Sequence, residues 1–282
     1  MDKANLPALS AAVLPGLQGG IPAKVSARWN PDVRAAGGDG ENTISILDPI
    51  GADMWGDGVT ARRISAALRA LGGRDVVVNI NSPGGDFFEG LAIYNLLREY
   101  PGQVTVQVLG VAASAASIIA MAADQVLIGR AAFLMIHNTW VQAAGDCHAL
   151  RDVADWLEPF DAAAAQVYAV RTGLDQTAVA AMLRAETWIG GQAAVDQGFA
   201  DDLLAGDLLA ADPAARAAGD MSPLAARKKI DLLLAGKATK SERRALVAAL
   251  GNGGTSGAAL TGTSRAALAD LAQGALDKLK TF

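Results

Sequence analysis

The chain of 282 residues is long enough for one large domain, or for one domain with an appendage. Hydrophobic residues make up 51% of it and charged residues 19%, a composition that excludes an intrinsically disordered chain. The single cysteine, Cys147, excludes an internal disulfide and a cysteine-based metal site. No uninterrupted apolar run reaches the roughly 18 residues that span a bilayer, so we expect no membrane partner.

The net charge of −5 conceals two regions of opposite sign. From Met221 onward the chain carries ten Lys and Arg against four Asp and Glu, whereas the preceding part carries 14 basic and 25 acidic residues. The basic region has one aromatic residue and one short basic cluster, so it favours an acidic protein partner over nucleic acid. The N-terminus lacks the charged-then-apolar pattern of a secretory signal, and we expect a cytoplasmic protein.

Hydrophobic periodicity predicts an α/β fold. Residues 1–42 lack periodicity and are rich in Gly, Pro and Ala, which predicts a flexible N-terminal arm. Residues 43–204 alternate between strands and helices, which predicts parallel βαβ units with right-handed crossovers. In chain order these are a strand at 43–47, a helix at 59–71, a strand at 75–80, a helix at 87–100, a strand at 104–109, a helix from 114, strands at 126–128 and 133–136, and helices at 148–171, 175–184 and 191–197. Residues 205–282 are predicted to form a linker and a basic, partly helical tail.

A segment with two glycines directly follows the predicted strand at 75–80. Its sequence is Asn81-Ser82-Pro83-Gly84-Gly85. Glycine lets backbone N–H groups point into a cleft without an obstructing side chain. Acyl-transfer enzymes need such donors to stabilise the oxyanion that develops during the reaction. An ordinary strand-to-helix turn has the same composition, so this segment alone does not decide between the two.

Ser114 lies in a second segment of this kind, Gly110-Val111-Ala112-Ala113-Ser114-Ala115-Ala116-Ser117, which follows a predicted strand and opens a helix. A serine at this turn lies at the positive end of the helix dipole, and the next N–H can assist an oxyanion. Serine is also a common helix N-cap. Ser117 is a second candidate, and we rank Ser114 first because it lies nearest the turn.

His137 is the candidate general base. It ends the apolar strand at 133–136, where a buried imidazole is costly unless it has partners. A serine hydroxyl needs an adjacent base, usually histidine, to act as a nucleophile at neutral pH. The other histidine, His148, lies in a polar stretch and is expected to be solvated. Three such segments in order, each at a strand end, favour a catalytic role over a structural one.

These segments resemble the proteolytic subunit of the Clp protease, and more closely the Clp-like head maturation (prohead) proteases of tailed bacteriophages. The resemblance covers roughly residues 43–204. It rests on residues 57–60, 80–95, 110–123, 135–138, 185–188 and 194–201. It implies a Clp/crotonase-like α/β fold, a spiral of ββα units, and no cofactor.

The resemblance also implies roles for individual residues. Ser114 matches the nucleophile of the family and His137 matches its base. Gly84 or Gly85, together with the N–H of Ala115, matches the oxyanion hole.

The third member of the triad departs from the family pattern. Met182 stands where the Clp subunit has its catalytic aspartate. Glu186 is the nearest acid and is our candidate for orienting the base, and Asp161 is the alternative. A nucleophile and base can still react with a displaced acid, since that pair carries the chemistry.

The function implied by the resemblance is that of a serine endopeptidase in phage capsid maturation. It would cleave coat and scaffold proteins inside the assembling capsid, in the cytoplasm of the bacterial host. The family also implies a homo-oligomer, which can be ring-shaped. The basic tail suits docking onto an acidic surface of the coat or scaffold protein.

Three alternatives remain open at this point. The first is a Clp-type proteolytic subunit served by an ATP-dependent unfoldase, since the chain has no P-loop of its own. The second is an acyl-CoA enzyme of the crotonase branch, against which the Ser114 and His137 pairing argues. The third is a catalytically inactive Clp-like scaffold or assembly protein, favoured by the missing aspartate.

Overall fold

The computed structural model describes residues 18–19, 21–31, 33–35, 40–52, 58–205 and 209–211. Within them the strands are β1 (Gln18–Gly19), β2 (Val33–Ala35), β3 (Thr43–Ile46), β4 (Val76–Ser82), β5 (Val104–Ala113), β6 (Gln125–Ile128), β7 (Phe133–Ile136), β8 (Val141–Gln142), β9 (Thr187–Gly190), β10 (Asp202–Leu203) and β11 (Leu209–Ala211). The helices are α1 (Ala23–Arg28), α2 (Ala61–Leu71), α3 (Phe87–Arg98), α4 (Ala115–Ala120), α5 (Cys147–Thr172), α6 (Gln176–Arg184) and α7 (Gly191–Asp196). The predicted basic tail lies outside the described residues, as does Asp57.

A seven-stranded sheet forms the centre of the protein. Its strands run in the order β10-β6-β5-β4-β3, and β7 joins the same sheet by pairing with β5 and with β9. All of these pairs are parallel except β7 with β9, which is antiparallel. The predicted α/β fold with a mainly parallel sheet is therefore confirmed.

The two central strands are buried on both faces. Val78, Ile80, Val106 and Val108 have no exposed surface, as runs of β-branched residues predict for parallel strands covered by helices. The first half of β5 pairs with β6, whereas its last three residues pair with β7. The length of β5 therefore brings β7 to the edge of the sheet at which β5 ends.

Side-chain caps fix the starts of the two helices beside the glycine segment. Asp86 accepts a hydrogen bond from the N–H of Glu89 and so caps α3. The carboxylate of Glu89 in turn accepts the N–H of Ala61, the first residue of α2, at 2.6 Å. Thr60 caps the same helix through the N–H of Arg63. These bonds anchor the chain immediately after the glycines.

The predicted N-terminal arm includes two short elements, α1 and β2. Val25 in α1 has no exposed surface, and Trp29, just after that helix, has 1%. The indole N–H of Trp29 donates to the carbonyl of Asn81 at 2.8 Å. Periodicity does not reveal this segment because α1 has only six residues, and its burial depends on contacts with distant strands. The position of the predicted domain boundaries stays a prediction.

Two further elements extend what the sequence predicts. β9 lies between two helices, where no strand is predicted, and it forms the antiparallel pair with β7. β11 lies in the predicted linker and pairs with β2. The predicted strand at 133–136 is confirmed, and the other predicted helices and strands from 43 to 197 are present with shifted ends. Among the described helices, none combines the length and the apolar character needed to cross a bilayer.

Candidate active site

Ser114 lies between the last residue of β5 and the first residue of α4. Its side chain is half-buried, and its Oγ lies 2.7 Å from Nε2 of His137. His137 directly follows β7, and β7 pairs in parallel with the end of β5. This pairing brings the two residues predicted as nucleophile and base together at one edge of the sheet.

The second serine candidate, Ser117, lies inside α4 and has no exposed surface. Its Oγ lies 2.7 Å from the carbonyl oxygen of Ser114 and 3.1 Å from that of Met135. A fully buried hydroxyl does not reach a substrate. Ser114 is therefore the one of the two serines that faces the cleft.

The contact with Ser114 fixes which tautomer of His137 is useful. For Nε2 to accept the serine proton, the proton of the neutral ring must reside on Nδ1. Within the described part of the chain, no acceptor hydrogen-bonds to Nδ1. An acid that stabilises the protonated ring in this conformation therefore acts through its charge and not through a direct bond.

Glu186 lies across the antiparallel pair from His137. Ile136 of β7 stands opposite Thr187 of β9, and the next residues outward are His137 and Glu186. Burial lowers the pKa of His137, and the charge of Glu186 opposes that shift by raising the pKa. The carboxylate of Glu186 also lies 4.0 Å from the ammonium of Lys24. The predicted third residue is therefore close enough to act on the base electrostatically.

Asp161, the alternative acid, has a different partner. Its Oδ1 accepts a hydrogen bond from the N–H of Thr139 at 2.6 Å. Burial raises the pKa of Asp161, and the Thr139 N–H opposes that rise. Asp161 therefore holds the chain two residues beyond His137. Met182, at the position of the expected aspartate, packs against the core.

Ser114 and Glu186 share an uncommon backbone conformation. They are the two non-glycine residues with positive φ in the described part of the chain, at 54° and 49°. Such a conformation costs about 1–3 kcal/mol and persists only where surrounding contacts hold it. The N–H of Ser114 donates to the carbonyl of Met135 at 2.8 Å, and that of Glu186 to Leu183 at 3.2 Å. The strain at Ser114 points to function, whereas Glu186 directly follows the C-terminal cap of α6, where helices often end in a left-handed residue.

Two of the three predicted oxyanion donors are available. The N–H groups of Gly85 and Ala115 have no hydrogen-bond acceptor among the described residues. Ile50 pairs with Gly85, but its N–H donates to the carbonyl of Gly84 and its carbonyl accepts the N–H of Asp86. The N–H of Gly85 therefore makes no bond to Ile50. The N–H of Gly84 instead donates to Ser82 Oγ at 3.2 Å. Gly85 and Ala115 can therefore bind an oxyanion, whereas Gly84 is already engaged.

Gly84 has a different role, which is to allow close approach to the nucleophile. A Cβ at position 84 would lie 2.7 Å from the Cβ of Ser114 and 2.5 Å from the carbonyl oxygen of Ala113. A Cβ at Gly85 would lie 2.1 Å from the carbonyl oxygen of Ile50. Neither position has room for a side chain. The two glycines therefore allow the glycine segment to pack directly against Ser114 and Ile50.

Asn81 begins the glycine segment, and the sequence pattern gives it no role of its own. The pairing of β4 with β5 shifts register between Ile80 and Ser82. The side-chain oxygen of Asn81 accepts the N–H of Val111 at 3.2 Å, and its amide donates to the carbonyl of Asn30 at 2.5 Å. The buried Asn81 side chain thus takes the place of backbone hydrogen bonds between β4 and β5 at the register shift. The signal available in the sequence is one asparagine at the end of an apolar strand.

A cavity of about 140 Å³ opens beside Ser114 and His137. Its apolar wall includes Phe87, Phe88, Ile118, Trp140 and Trp156. The rings of Phe88 and Trp156 have their centroids 6.2 Å apart. A cavity of about 150 Å³ is enough to hold benzene, so this one has room for one large apolar side chain. The aromatic residues of α3 and α5 are a signal of this pocket that sequence reasoning did not use.

We predict that the pKa of His137 lies below the ordinary histidine value of about 6.5, because burial outweighs the charge of Glu186. Glu186→Gln should lower this pKa further, since it removes the charge that raises it. NMR titration of ¹³C-labelled histidine in both proteins measures the two values. His148→Gln assigns the second histidine signal.

Asp161→Asn is the matched control for this titration. Asp161 bonds to Thr139 and is not among the groups that shift His137, so its loss should leave the pKa of His137 unchanged. A larger shift in Asp161→Asn than in Glu186→Gln would identify Asp161 as the acid coupled to the base.

Comparison with known proteins agrees with the geometry. The Clp protease family matches residues 41–207. Proteolytic subunit 3 of the ATP-dependent Clp protease from Rhodococcus jostii is 28% identical over 131 residues, which are 45% of this chain and 64% of that protein. Subunit 1 from Leifsonia xyli is 28% identical over 157 residues, 54% of this chain and 80% of the relative. Subunit 1 from Streptomyces avermitilis is 26% identical over 182 residues, 62% of this chain and 79% of the relative.

The chain thus spans somewhat less than two thirds of the Rhodococcus relative and more of the other two. The matched region includes every residue of the candidate site, from the glycine segment to Glu186. It covers more than half of the 282 residues. The chain belongs to the Clp protease family.

Proposed function

We propose that this protein is a serine endopeptidase. The observation that carries the proposal is the 2.7 Å contact between Ser114 Oγ and His137 Nε2, beside two N–H groups without an acceptor. A serine hydroxyl, an imidazole and paired N–H donors are the parts that acyl transfer requires. The names of the similar proteins, each a proteolytic subunit, support the same activity.

In the proposed mechanism Ser114 Oγ attacks the carbonyl carbon of the peptide bond while Nε2 of His137 takes its proton. The carbonyl oxygen becomes an oxyanion, to which the N–H groups of Gly85 and Ala115 donate. His137 then gives its proton to the leaving amine as the C–N bond breaks, and an acyl-Ser114 remains. Water attacks this ester while His137 takes its proton, and His137 then returns that proton to Ser114 Oγ as the ester C–O bond breaks, which releases the carboxylic acid and the free serine.

The surroundings of His137 suit both roles that this mechanism assigns to it. Burial lowers its pKa, so the ring is neutral and able to accept a proton near neutral pH. The charge of Glu186 stabilises the imidazolium that forms after proton transfer. Ser114 and His137 carry the chemistry, and Glu186 modulates it through its charge.

Ser114→Ala and His137→Ala should each lower kcat by at least about four orders of magnitude, because the nucleophile and base act as a unit. A fluorophosphonate probe should label the wild type at Ser114 and leave Ser114→Ala unlabelled. Peptide hydrolysis and intact-mass spectrometry measure the two effects. Ser65→Ala is the matched control, since it removes a hydroxyl in α2 whose one hydrogen bond among the described residues is with Arg69.

An unlabelled wild type that hydrolyses no peptide would leave the chain as an inactive assembly protein of the same fold. Normal hydrolysis by Ser114→Ala would instead place the nucleophile elsewhere.

The cavity beside Ser114 supports a preference for a large apolar residue on the N-terminal side of the cleaved bond. Burying such a side chain contributes about 1.5–3 kcal/mol, so kcat/KM for Leu or Phe at this position should exceed that for Gly by at least about tenfold. Trp156→Ala removes part of the wall and should reduce this preference, mainly through KM. Val170→Ala, an exposed position on the same helix, should leave it unchanged. A peptide library measures the preference, and equal cleavage after Gly and Leu would contradict it.

We propose further that the natural substrates are coat and scaffold proteins, cleaved inside an assembling phage capsid in the host cytoplasm. The resemblance to head maturation proteases and the basic charge after Met221 support this step. The names of the similar proteins support equally the alternative, a subunit that receives unfolded chains from an ATP-dependent partner. Both alternatives involve a homo-oligomer.

A truncation after Ala211 separates delivery from catalysis. Cutting there retains β11, which pairs with β2, and removes the basic region. We expect the truncated chain to cleave peptides like the full chain and to retain its oligomeric mass in light scattering. It should fail to enter capsids when co-expressed with coat and scaffold proteins, and the association of the full chain with them should weaken in salt.

Mass spectrometry of new N-termini in the coat and scaffold proteins completes this test. Normal packaging of the truncated chain would overturn the role of the tail in delivery. Cleavage of folded substrates only in the presence of an unfoldase and ATP, with coat and scaffold proteins intact, would favour the alternative.

A further inference from the structure

Ser117 and Tyr168 form a pair of buried hydroxyl groups directly behind the nucleophile. Ser117 in α4 is fully buried, and Tyr168 in α5 is 1% exposed. Their oxygens lie 2.7 Å apart. The surroundings are apolar: Ile118, Ala164, Ala165 and Val167 belong to the same buried region. Two hydroxyls in such a place are costly unless they are hydrogen-bonded, and an alanine with a phenylalanine would pack there without that cost.

The direction of the hydrogen bonds follows from counting protons. Ser117 Oγ lies 2.7 Å from the carbonyl oxygen of Ser114 and 3.1 Å from that of Met135, and neither carbonyl can donate. The single proton of Ser117 therefore points at these carbonyls. Tyr168 then donates its own proton to Ser117 Oγ, the one partner of its hydroxyl among the described residues. The chain of donors thus runs from Tyr168 through Ser117 to the backbone of Ser114.

One of the two carbonyls belongs to Ser114, directly after β5, and the other belongs to Met135 in β7. Met135 precedes His137 by two residues, and its carbonyl also accepts the N–H of Ser114 at 2.8 Å. The peptide groups on both sides of the Ser114 Cα are therefore held. Met135 accepts the N–H of Ser114. The Ser114 carbonyl accepts the Ser117 hydroxyl together with the N–H groups of Ser117 at 2.9 Å and Ile118 at 3.3 Å. Ser114 has φ 54° and ψ −125°, a strained conformation that persists only where its surroundings enforce it.

We propose that Ser117 and Tyr168 are positioning residues that hold Ser114 in its strained conformation and so keep its Oγ directed at His137. They do not touch the substrate through their hydroxyls and take no part in proton transfer. This inference rests on the proposed peptidase function, for which Ser114 is the nucleophile. It assigns to α5 a hydrogen-bonded connection to the backbone of the nucleophile, from Tyr168 through Ser117.

The test compares Ser117→Ala, Tyr168→Phe and the double variant with the wild type. A nucleophile displaced by a fraction of an ångström reacts more slowly, so each single variant should lower kcat about ten- to a hundredfold. KM should stay near the wild-type value, because Tyr168 lines the pocket and Tyr168→Phe keeps its ring. Since both hydroxyls act in one chain, the double variant should lose little more than the more damaged single variant. Tyr168→Phe preserves the ring volume and keeps the test valid if Ser117→Ala folds poorly.

Thr172→Val provides the matched control. The Thr172 hydroxyl donates to the backbone carbonyl of Tyr168 at 2.8 Å, on the same helix but away from the Ser114 turn. Its loss should lower the unfolding temperature without changing kcat. If Thr172→Val lowers kcat as much as Tyr168→Phe, general loosening of α5 explains the effect and the positioning role is wrong.

The rate of fluorophosphonate labelling at Ser114 separates this inference from the proposed function. Labelling of the wild type with about tenfold slower labelling of Ser117→Ala and Tyr168→Phe supports both. Wild-type rates of labelling and hydrolysis in the folded variants would overturn the positioning role while leaving the peptidase function intact. A wild type that neither reacts with the probe nor hydrolyses peptide would reject the peptidase function, and the positioning role with it.

Discussion

The parallel pairing of the end of β5 with β7 is the constraint on which the site depends. β5 continues past its last pair with β6, and its final three residues pair with β7 instead. The serine after β5 and the histidine after β7 therefore emerge at the same edge of the sheet, 2.7 Å apart at their reactive atoms. The carbonyl of Met135 extends this pairing by one further bond to the N–H of Ser114. The geometry of the dyad is thus a property of the backbone ladder and needs no long side chain to span a gap.

The N-terminal segment packs on the face of β5 and β7 that is turned away from the main hydrophobic core. Val25 packs with Val111, Ala113 and Met135, and Trp188 packs at the edge of this cluster. Ala113 directly precedes Ser114, Met135 comes two residues before His137, and Trp188 comes two residues after Glu186. The indole N–H of Trp29 donates to the carbonyl of Asn81, and the Asn81 amide donates to the carbonyl of Asn30, so the same segment is bonded to the end of β4, which precedes the glycines. Although it is short, α1 therefore supports all three strand ends of the site at once.

The sequence predicts the parts of the site that depend on local chemistry. Strand-end positions identify Ser114 and His137, and a glycine pair identifies the segment that carries the oxyanion donors. The sequence does not predict which glycine has an N–H without an acceptor. That depends on Ile50, which bonds to the neighbours of Gly85, and on Ser82, whose hydroxyl accepts the N–H of Gly84. β9 could not be predicted from periodicity, since its four residues alternate only weakly and its order comes from pairing with β7. The burial of α1 likewise depends on strands far along the chain.

The identity of the acid beside His137 depends on both the local sequence and the pairing of distant strands. The absence of an aspartate at Met182 leaves Glu186 and Asp161 as candidates, and sequence distance alone does not separate them. Antiparallel pairing of β7 with β9 puts Glu186 opposite His137, whereas Asp161 is occupied by the N–H of Thr139. Glu186 reaches its place through a strained backbone and lies near Lys24, so part of its charge is compensated. A carboxylate in this position raises the pKa of the imidazole without overcoming the effect of burial, and His137 stays neutral in the state that must accept a proton.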